Sequence, residues 1–372
     1  MIASRRYWAR ISPQMDPISH VLLGASLGYA VFGRKLGRTA ALAGGLAAFV
    51  PDADVFIRSA SDPLLAIEYH RHFTHALAFA PVGAGLVSLL WIFRQRWRPL
   101  ALTVWLCCLV AYISHCLLDA ATSYGTQLFW PFSRQRVGWD LISIIDPIFT
   151  LTLLAGLTGA LWRKRRALAT AAIAAVAAYV ALGALQHARA VSAQDQLAKR
   201  RGHTIARLEV MPTLANNLVW RALYVHDGRI YSDRIRVGWL SGPTVAEGWS
   251  LPVVGEVDLT HAERTRNRRN SFARFAWFSE GWVARKPDDT TVLGDMRYSL
   301  SSEAFDPIWG IRFTAPGALA EVEWVNRSRG RRVSVSEMWK EISGLDARYT
   351  KLSEAGVGES TSGSAGEFLL SP

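Results

Sequence analysis

The sequence predicts an α-helical polytopic membrane domain of about five or six helices, followed by a small, mainly antiparallel β domain outside the cytoplasm. Three observations carry this. Although 50% of the 372 residues are hydrophobic and the mean hydropathy is +0.13, nearly all the long apolar runs fall within residues 18–186. The short connectors between alternate runs are basic and carry no acid. Beyond residue 186 the composition becomes that of a water-soluble chain with strand and turn punctuation. The length allows two domains.

Residues 1–14, MIASRRYWARISPQ, are basic and lack an apolar stretch beside a small-residue cleavage site, so they do not read as a secretory signal. Met15 offers a second start, and 1–14 read as a dispensable, non-native extension. A membrane helix needs roughly 17–25 mostly apolar residues. Segments 18–33, 39–56, 76–93, 100–118 and 147–162 qualify, with 167–186 as a sixth. Of these, 76–93 and 167–186 read as clear spans, and the first two are short and glycine-rich.

Arg34, Lys35 and Arg38 lie between the first two segments, and Arg94, Arg96 and Arg98 between the third and fourth. Arg163, Lys164, Arg165 and Arg166 lie between the fifth and sixth. The positive-inside rule makes these connectors cytoplasmic. Connectors 57–75 and 119–146, and everything after 186, then face outward. Arg5, Arg6 and Arg10 would break the rule, which a start at Met15 avoids. The predicted location is the inner membrane, multi-pass, with the C-terminal domain extracytoplasmic.

Residues 187–350 read as that domain. In LVWRALYVHDGRIYSDRIRVGWL, Asp227-Gly228 separates two strand-like runs, a strong hairpin signal. FARFAWFSEGWVA and WGIRFTAPG also read as strands, and ALAEVEWVN as either strand or helix. Residues 351–372 are Ser/Gly-rich and read as a disordered tail.

The net charge of +12 suggests nucleic acid or an anionic surface. Its concentration in the connectors assigns it to the lipid bilayer instead, and nucleic acid is not an expected partner. Cys107, Cys108 and Cys116 share one apolar segment and imply neither a disulfide framework nor a CxxC metal site.

The chemistry-bearing residues collect at one level. Asp16 and His20 sit at the outer end of the first segment, and Asp52 and Asp54 at the outer end of the second. His70, Arg71, His72, Thr74 and His75 precede the third, and His115 and Asp119 end the fourth. Asp146 opens the fifth. Lys and Arg alone set the orientation, so this convergence is independent of it. A lone His or Asp at a helix end reads as a wetted interfacial residue; five clusters on one side read as a site.

His115 and Asp119, four apart, share a helix face and suit one metal ion, or a carboxylate orienting a ligating His. Asp52 and Asp54 repel unless a cation or protons lie between them. Arg71 suits an anion such as phosphate. His72 reads equally as a solvated loop residue, and Asp146 equally as a helix cap. His187, His203, His226 and His261 show no ligand spacing. Trp130, Phe132 and Trp139 suit an interfacial aromatic belt.

MDPISHVLLGASLG, PDAD, HRHFTHAL, SHCLLDAATSYGTQLFWPFS and IIDPIFT together resemble the YdjM-like family of membrane proteins assigned as metal-dependent hydrolases. The resemblance covers most of 15–315. In the family pattern the residues corresponding to His70, Arg71, Thr74, His75, His115 and Asp119 are typical, whereas a histidine at the position of His72 is not. His115-Cys-Leu-Leu-Asp119 is also distantly similar to the HxxxD motifs of the zinc-dependent phospholipase C and P1 nuclease group.

The expectation is an inner-membrane, metal-dependent hydrolase of a phosphoester or lipid-linked substrate. His20, Asp52, Asp54, His70, His75, His115 and Asp119 are the metal-ligand candidates, with zinc first among divalent ions. The ion would acidify a water, Asp52 or Asp54 would act as general base, and Arg71 would stabilise negative charge. The alternatives are an ion-binding transporter and a membrane scaffold using the same cluster. The oligomeric state is left open.

Overall fold

The computed structural model describes residues 17–299, 305–315, 317–327 and 334–356. The 1–14 extension and residues 357–372 of the tail lie outside these. The described residues begin with a hairpin of α1 (Pro17–Leu36) and α2 (Thr39–Phe49), turned at Gly37 with φ 60°. Its closeness depends on glycine: a Cβ at Gly28 would overlap the Ala40 carbonyl oxygen, and one at Gly24 would overlap Ala48 and the Gly44 carbonyl. α2 tightens into a 3₁₀ turn over Val50–Phe56.

The short α3 (Leu65–Tyr69) and a 3₁₀ turn at Phe73–His75 lead to α4 (Ala80–Ile92). α5 (Ala101–Ala120) fills the centre, packing on α1, α2 and α4. α6 (Pro147–Arg163) and α7 (Arg166–Arg200) form a second hairpin against α1.

Among the described residues, three stretches are long and apolar enough to cross a membrane: Thr39–Phe56, Gln95–Ala120 and Arg166–Arg200. The pair Leu65–His75 and Ala80–Ile92, bent by 78°, makes up to four. The expected clear span at 76–93 is therefore corrected. α4 has 13 residues, about 20 Å of helix against a hydrocarbon core of about 30 Å. The chain before it is used in the turn that carries His75. Leu42, Leu86, Leu102, Leu151 and Leu185 point outward and exposed from the helices, an apolar exterior suited to lipid.

The basic connectors lie at one end, where Arg38 donates to the Leu161 carbonyl (3.4 Å) and Arg166 to that of Ala30 (3.2 Å). His20 and Lys35 sit near opposite ends of α1, about 22 Å apart at 1.5 Å per residue.

The expected domain boundary at 187 also shifts. α7 runs unbroken for 35 residues, about 52 Å. Ala190, Ala193 and Leu197 recur on one face and pack on Val210, Trp220, Ala222 and Ile235 of the first sheet. That sheet comprises β1 (Arg207–Pro212), β2 (Val219–His226), β3 (Arg229–Val237), β4 (Pro243–Ala246) and β5 (Ser250–Pro252), and it is antiparallel throughout. Asp227 and Gly228, both at positive φ, turn β2 into β3 as the sequence predicts.

The helix α8 (Arg266–Phe278) follows. It corrects the strand expected in FARFAWF. Thr265 caps it, and Phe272, Phe275 and Phe278 recur every three residues to bury one helical face. A second antiparallel sheet has the order β6 (Val283–Lys286), β7 (Asp289–Asp295), β8 (Trp309–Phe313), β9 (Val322–Asn326). α9 (Val335–Ser343) and β10 (Thr350–Lys351), which pairs with β4, end the described chain. Residues 351–356, expected within the disordered tail, are docked. Leu352 and Ala355 join the core beside Leu197, and Arg200 donates to the Ala355 carbonyl at 2.9 Å.

The β domain sits on connectors 57–75 and 119–146 of the helical domain. Arg274 on α8 forms paired bonds to Asp62 and Glu68 (2.6–3.0 Å), and the Tyr298 hydroxyl donates to the Ser123 carbonyl at 2.8 Å.

Candidate metal centre

Four elements bring donors together where the α1/α2 hairpin, the His75 turn and the end of α5 meet. One atom each of Asp52, His75, His115 and Asp119 falls within a mutual 4.8 Å. His75 Nε2 lies 3.1 Å and His115 Nε2 3.5 Å from Asp119 Oδ2, and both nitrogens lie 3.7 Å from Asp52 Oδ1. Tetrahedral zinc with bonds of about 2.0–2.2 Å has ligand separations of about 3.3–3.6 Å. His75, His115 and Asp119 are buried, while the Asp52 side chain is 20% exposed.

These atoms also pass a chemical test. His75 Nε2, His115 Nε2 and both Asp119 carboxylate oxygens are buried without a well-formed hydrogen bond, a costly arrangement unless a cation accepts their lone pairs.

Behind the donors stands a second set of contacts. The His115 Nδ1–H donates to the Ala48 carbonyl (2.7 Å), leaving Nε2 as the free lone pair. His75 Nδ1 lies 3.3 Å from Asp54 Oδ2 and 3.0 Å from the Thr74 hydroxyl. Asp54 is also 3.2 Å from His70 Nδ1 and accepts from the Arg71 backbone N–H at 2.7 Å.

The sequence expected Asp54 and His70 among the ligands; the structure turns both away. Residues two apart on a 3₁₀ turn of three residues per turn point about 240° apart, so Asp52 enters the cluster and Asp54 faces the histidine loop. His70, its ring centre 6.4 Å from that of His75, is held by Asp54 and Tyr124.

The expectation that Arg71 contacts substrate is likewise corrected. Arg71 is 2% exposed, and its Nε is 3.1 Å from Asp119 Oδ2. Its Nη1 donates to the Asp119 carbonyl and the Thr122 hydroxyl, and its guanidinium lies over the Tyr124 ring. It positions Asp119.

His20 lies at the edge of the site, 3.1 Å from Asp119 Oδ1 and with its ring centre 3.9 Å from that of His115. His72 packs on Tyr69 and Trp130, away from the cluster. Asp146 caps α6, accepting from the Ile148 and Phe149 N–H groups and from the Tyr179 hydroxyl. Ala48, Thr122 and Tyr124 escaped the sequence reading. A backbone carbonyl leaves no residue signature, although Thr122 and Tyr124 stand just beyond the HxxxD helix.

The fold and site define a class: a helical membrane protein with a buried His/Asp centre capable of holding a metal ion, joined to an antiparallel β domain. Comparison gives the particular family. The chain belongs to the YdjM inner membrane protein family, whose model matches residues 15–190. It is 32% identical over 133 residues to the inner membrane protein YbcI of Escherichia coli, covering 34% of this chain and 75% of YbcI. It is 30% identical over 156 residues to the uncharacterized protein YfhP of Bacillus subtilis, covering 40% of this chain and 46% of YfhP. The chain thus spans about half of YfhP and three quarters of YbcI. No solved structure matches.

Proposed function

We propose that this inner-membrane protein is a metal-dependent hydrolase of phosphoesters, with its centre and β domain on the extracytoplasmic side. The observation that carries the reading is the convergence of the buried His75 Nε2 and His115 Nε2, both without a well-formed hydrogen bond, with the Asp119 carboxylate beside the partly exposed Asp52. These four residues would hold a divalent ion; the mixed nitrogen and oxygen donors suit zinc. A bound ion supplies Lewis-acid polarisation and a water acidic enough to attack near neutral pH.

The chain's own residues do the rest. Asp54 and the Ala48 carbonyl fix the ring orientations of His75 and His115. Arg71 holds Asp119 from behind. The partly exposed Asp52 edge is where substrate reaches the centre. Its neighbours Phe49 and Phe56 are exposed and apolar, which supports a lipid-linked phosphoester.

The acidic and basic layout favours the outward orientation, since the basic connectors cluster at the other end. A second reading rests on the number of donors: four protein ligands with no position left open are the pattern of a structural metal. A non-enzymatic ion-binding protein would show it.

The test is metal analysis of detergent-purified full-length protein, prepared without chelator, beside turnover of p-nitrophenyl phosphate and bis-p-nitrophenyl phosphate. Wild type is expected to carry metal and turn over at least one ester. His115→Ala and Asp119→Asn are expected to lose both while retaining helical circular dichroism. Metal-free wild type refutes the centre; stoichiometric metal without turnover of any phosphoester favours the structural reading.

A further inference from the structure

A second polar feature lies in the β domain, on a different set of residues. The first sheet is covered on both faces. One face meets α7, where Asp233 binds Arg201 and Gln194. On the other, Met211, Leu223 and Ile230 pack against Trp282, Ala284 and Met296 from the second sheet and its flanks. Toward one end the two sheets part, and a cleft of about 940 Å³ opens between them, α9 and the outer connector of the helical domain. That volume is in the range of small-molecule sites.

Arg221 on β2 and Arg234 on β3 line this cleft and are direct cross-strand partners. Like charges placed opposite one another in a sheet destabilise it, and these two are 5% and 8% exposed. Arg221 donates to the Met296 carbonyl at 3.0 Å, and Arg234 has one distant carboxylate, Glu341, at 3.7 Å. The Nε of each is buried without a partner among the described residues. Burial and the neighbouring Arg234 together push the Arg221 guanidinium down to about 9.

Among the described residues, the other charges of the cleft are mostly engaged with one another. Arg297 is taken by Asp295 and Glu280, Arg348 binds Asp346 and Glu341, and Asp306 faces Arg327 and Lys286. Glu337 and Lys340 both belong to α9 and carry opposite charges. A buried guanidinium pair whose one ion-pair contact is the 3.7 Å approach of Glu341 to Arg234 is expensive, and two adjacent guanidinium forks match the oxygens of a tetrahedral oxyanion.

We propose that this cleft binds a phosphate group, received by Arg221 and Arg234. Ile144, Met211, Leu214, Ile308, Met338 and Leu345 provide an apolar lining beside the arginines. Ile144 belongs to the connector that leads into α6, so the cleft adjoins the membrane domain. A phosphate carried on a lipid headgroup and a free phosphate share the chemistry that the arginines read. The site uses none of the metal-centre residues and stands whether or not that centre is catalytic.

The experiment is calorimetric titration of the full-length protein in detergent, in the presence of a chelator so that no metal contributes. The probes are inorganic phosphate and the soluble short-chain lipid dihexanoyl phosphatidic acid. Wild type is expected to bind at least one saturably at 1:1. Tenfold tighter binding of the lipid assigns the headgroup; equal affinities assign the phosphate alone. Arg221→Met is expected to lose at least tenfold in affinity while its melting temperature without ligand is unchanged or raised, because a buried unpaired charge has been removed. Arg221→Lys, which keeps the charge and loses the fork, is expected to bind more weakly than wild type and more tightly than Arg221→Met. Absence of saturable binding of both probes to wild type overturns the proposal. So does unchanged affinity in both folded variants.

Discussion

Replacing Asp54 by asparagine separates the two roles open to this residue. In the structure one carboxylate faces three groups: His75 Nδ1 at 3.3 Å, His70 Nδ1 at 3.2 Å and the Arg71 N–H at 2.7 Å. An ionised carboxylate accepts from all three. An amide has one oxygen, and its NH₂ group can only donate. If that NH₂ faces His75, Nδ1 must become the acceptor, so the proton moves to Nε2 and the lone pair that points into the cluster is lost. If the NH₂ faces away, the Arg71 and His75 N–H groups keep the oxygen, and the NH₂ meets His70 Nδ1, which must then accept.

Partners of this kind are worth 10–100-fold in metal affinity, or about 1.4–2.8 kcal/mol at 1.4 kcal/mol per tenfold. The assay is competition for zinc between purified Asp54→Asn and a chromogenic chelator, with wild type and His75→Ala in parallel. The expected dissociation constant lies 10–100-fold above wild type, with His75→Ala far weaker. An unchanged constant would show that Asp54 does not orient His75. A loss as complete as that of His75→Ala would make Asp54 a ligand, as the bare sequence suggested.

Two further outcomes follow from packing and charge. Gly28→Ala places a methyl group against the Ala40 backbone oxygen, which cannot rotate away. The strain, about 1–3 kcal/mol, outweighs the helix-propensity gain of about 1 kcal/mol. A lower midpoint of unfolding in detergent is expected, and a raised one would show that the hairpin is not held by close backbone contact.

Asp140 in the connector before α6 and Glu209 on β1 are both raised by burial first, to about 8 and about 7; Glu209 adds to the rise at Asp140, and Glu280 and Asp295 add to that at Glu209. The folded state therefore holds these protons more tightly than the unfolded chain. Their contribution to stability is whole below the ordinary carboxylate range and is lost progressively as pH rises from about 4 through 7 and 8. Asp140 sits at φ 56°, which asparagine tolerates. Melting temperatures measured from pH 5.5 to 9 should fall more steeply in wild type than in Asp140→Asn. Parallel curves would remove Asp140 from the account.

Much of the site was legible because local geometry is enough for part of it. His115 and Asp119 are neighbours on any helix, and the basic connectors sort the clusters to one end without knowledge of the packing. Asp52 and Asp54 were not separable, since their difference arises from a 3₁₀ turn that replaces the last turn of α2. Arg71 read as an anion contact because a sequence shows its charge and not its partner, the Asp119 carboxylate brought to it from 48 residues away. α8 was mistaken for a strand because an aromatic-rich run satisfies both periods; the Thr265 cap and the three-residue phenylalanine spacing decide it once a face is buried.

By itself the sequence determined the division into an apolar helical half and a polar β half, the Asp227-Gly228 hairpin, and the gathering of histidines and aspartates at one level. These follow from hydropathy, charge and turn chemistry, which act over a few residues at a time. Only the tertiary structure decided which four side chains share a point in space, that Asp54 and Arg71 support the centre from behind, that α7 continues to Arg200, and that Arg221 and Arg234 stand side by side over a cleft. Those depend on how separate elements pack, where displacing one helix by a single residue moves a donor atom by about 1.5 Å and takes it out of bonding range.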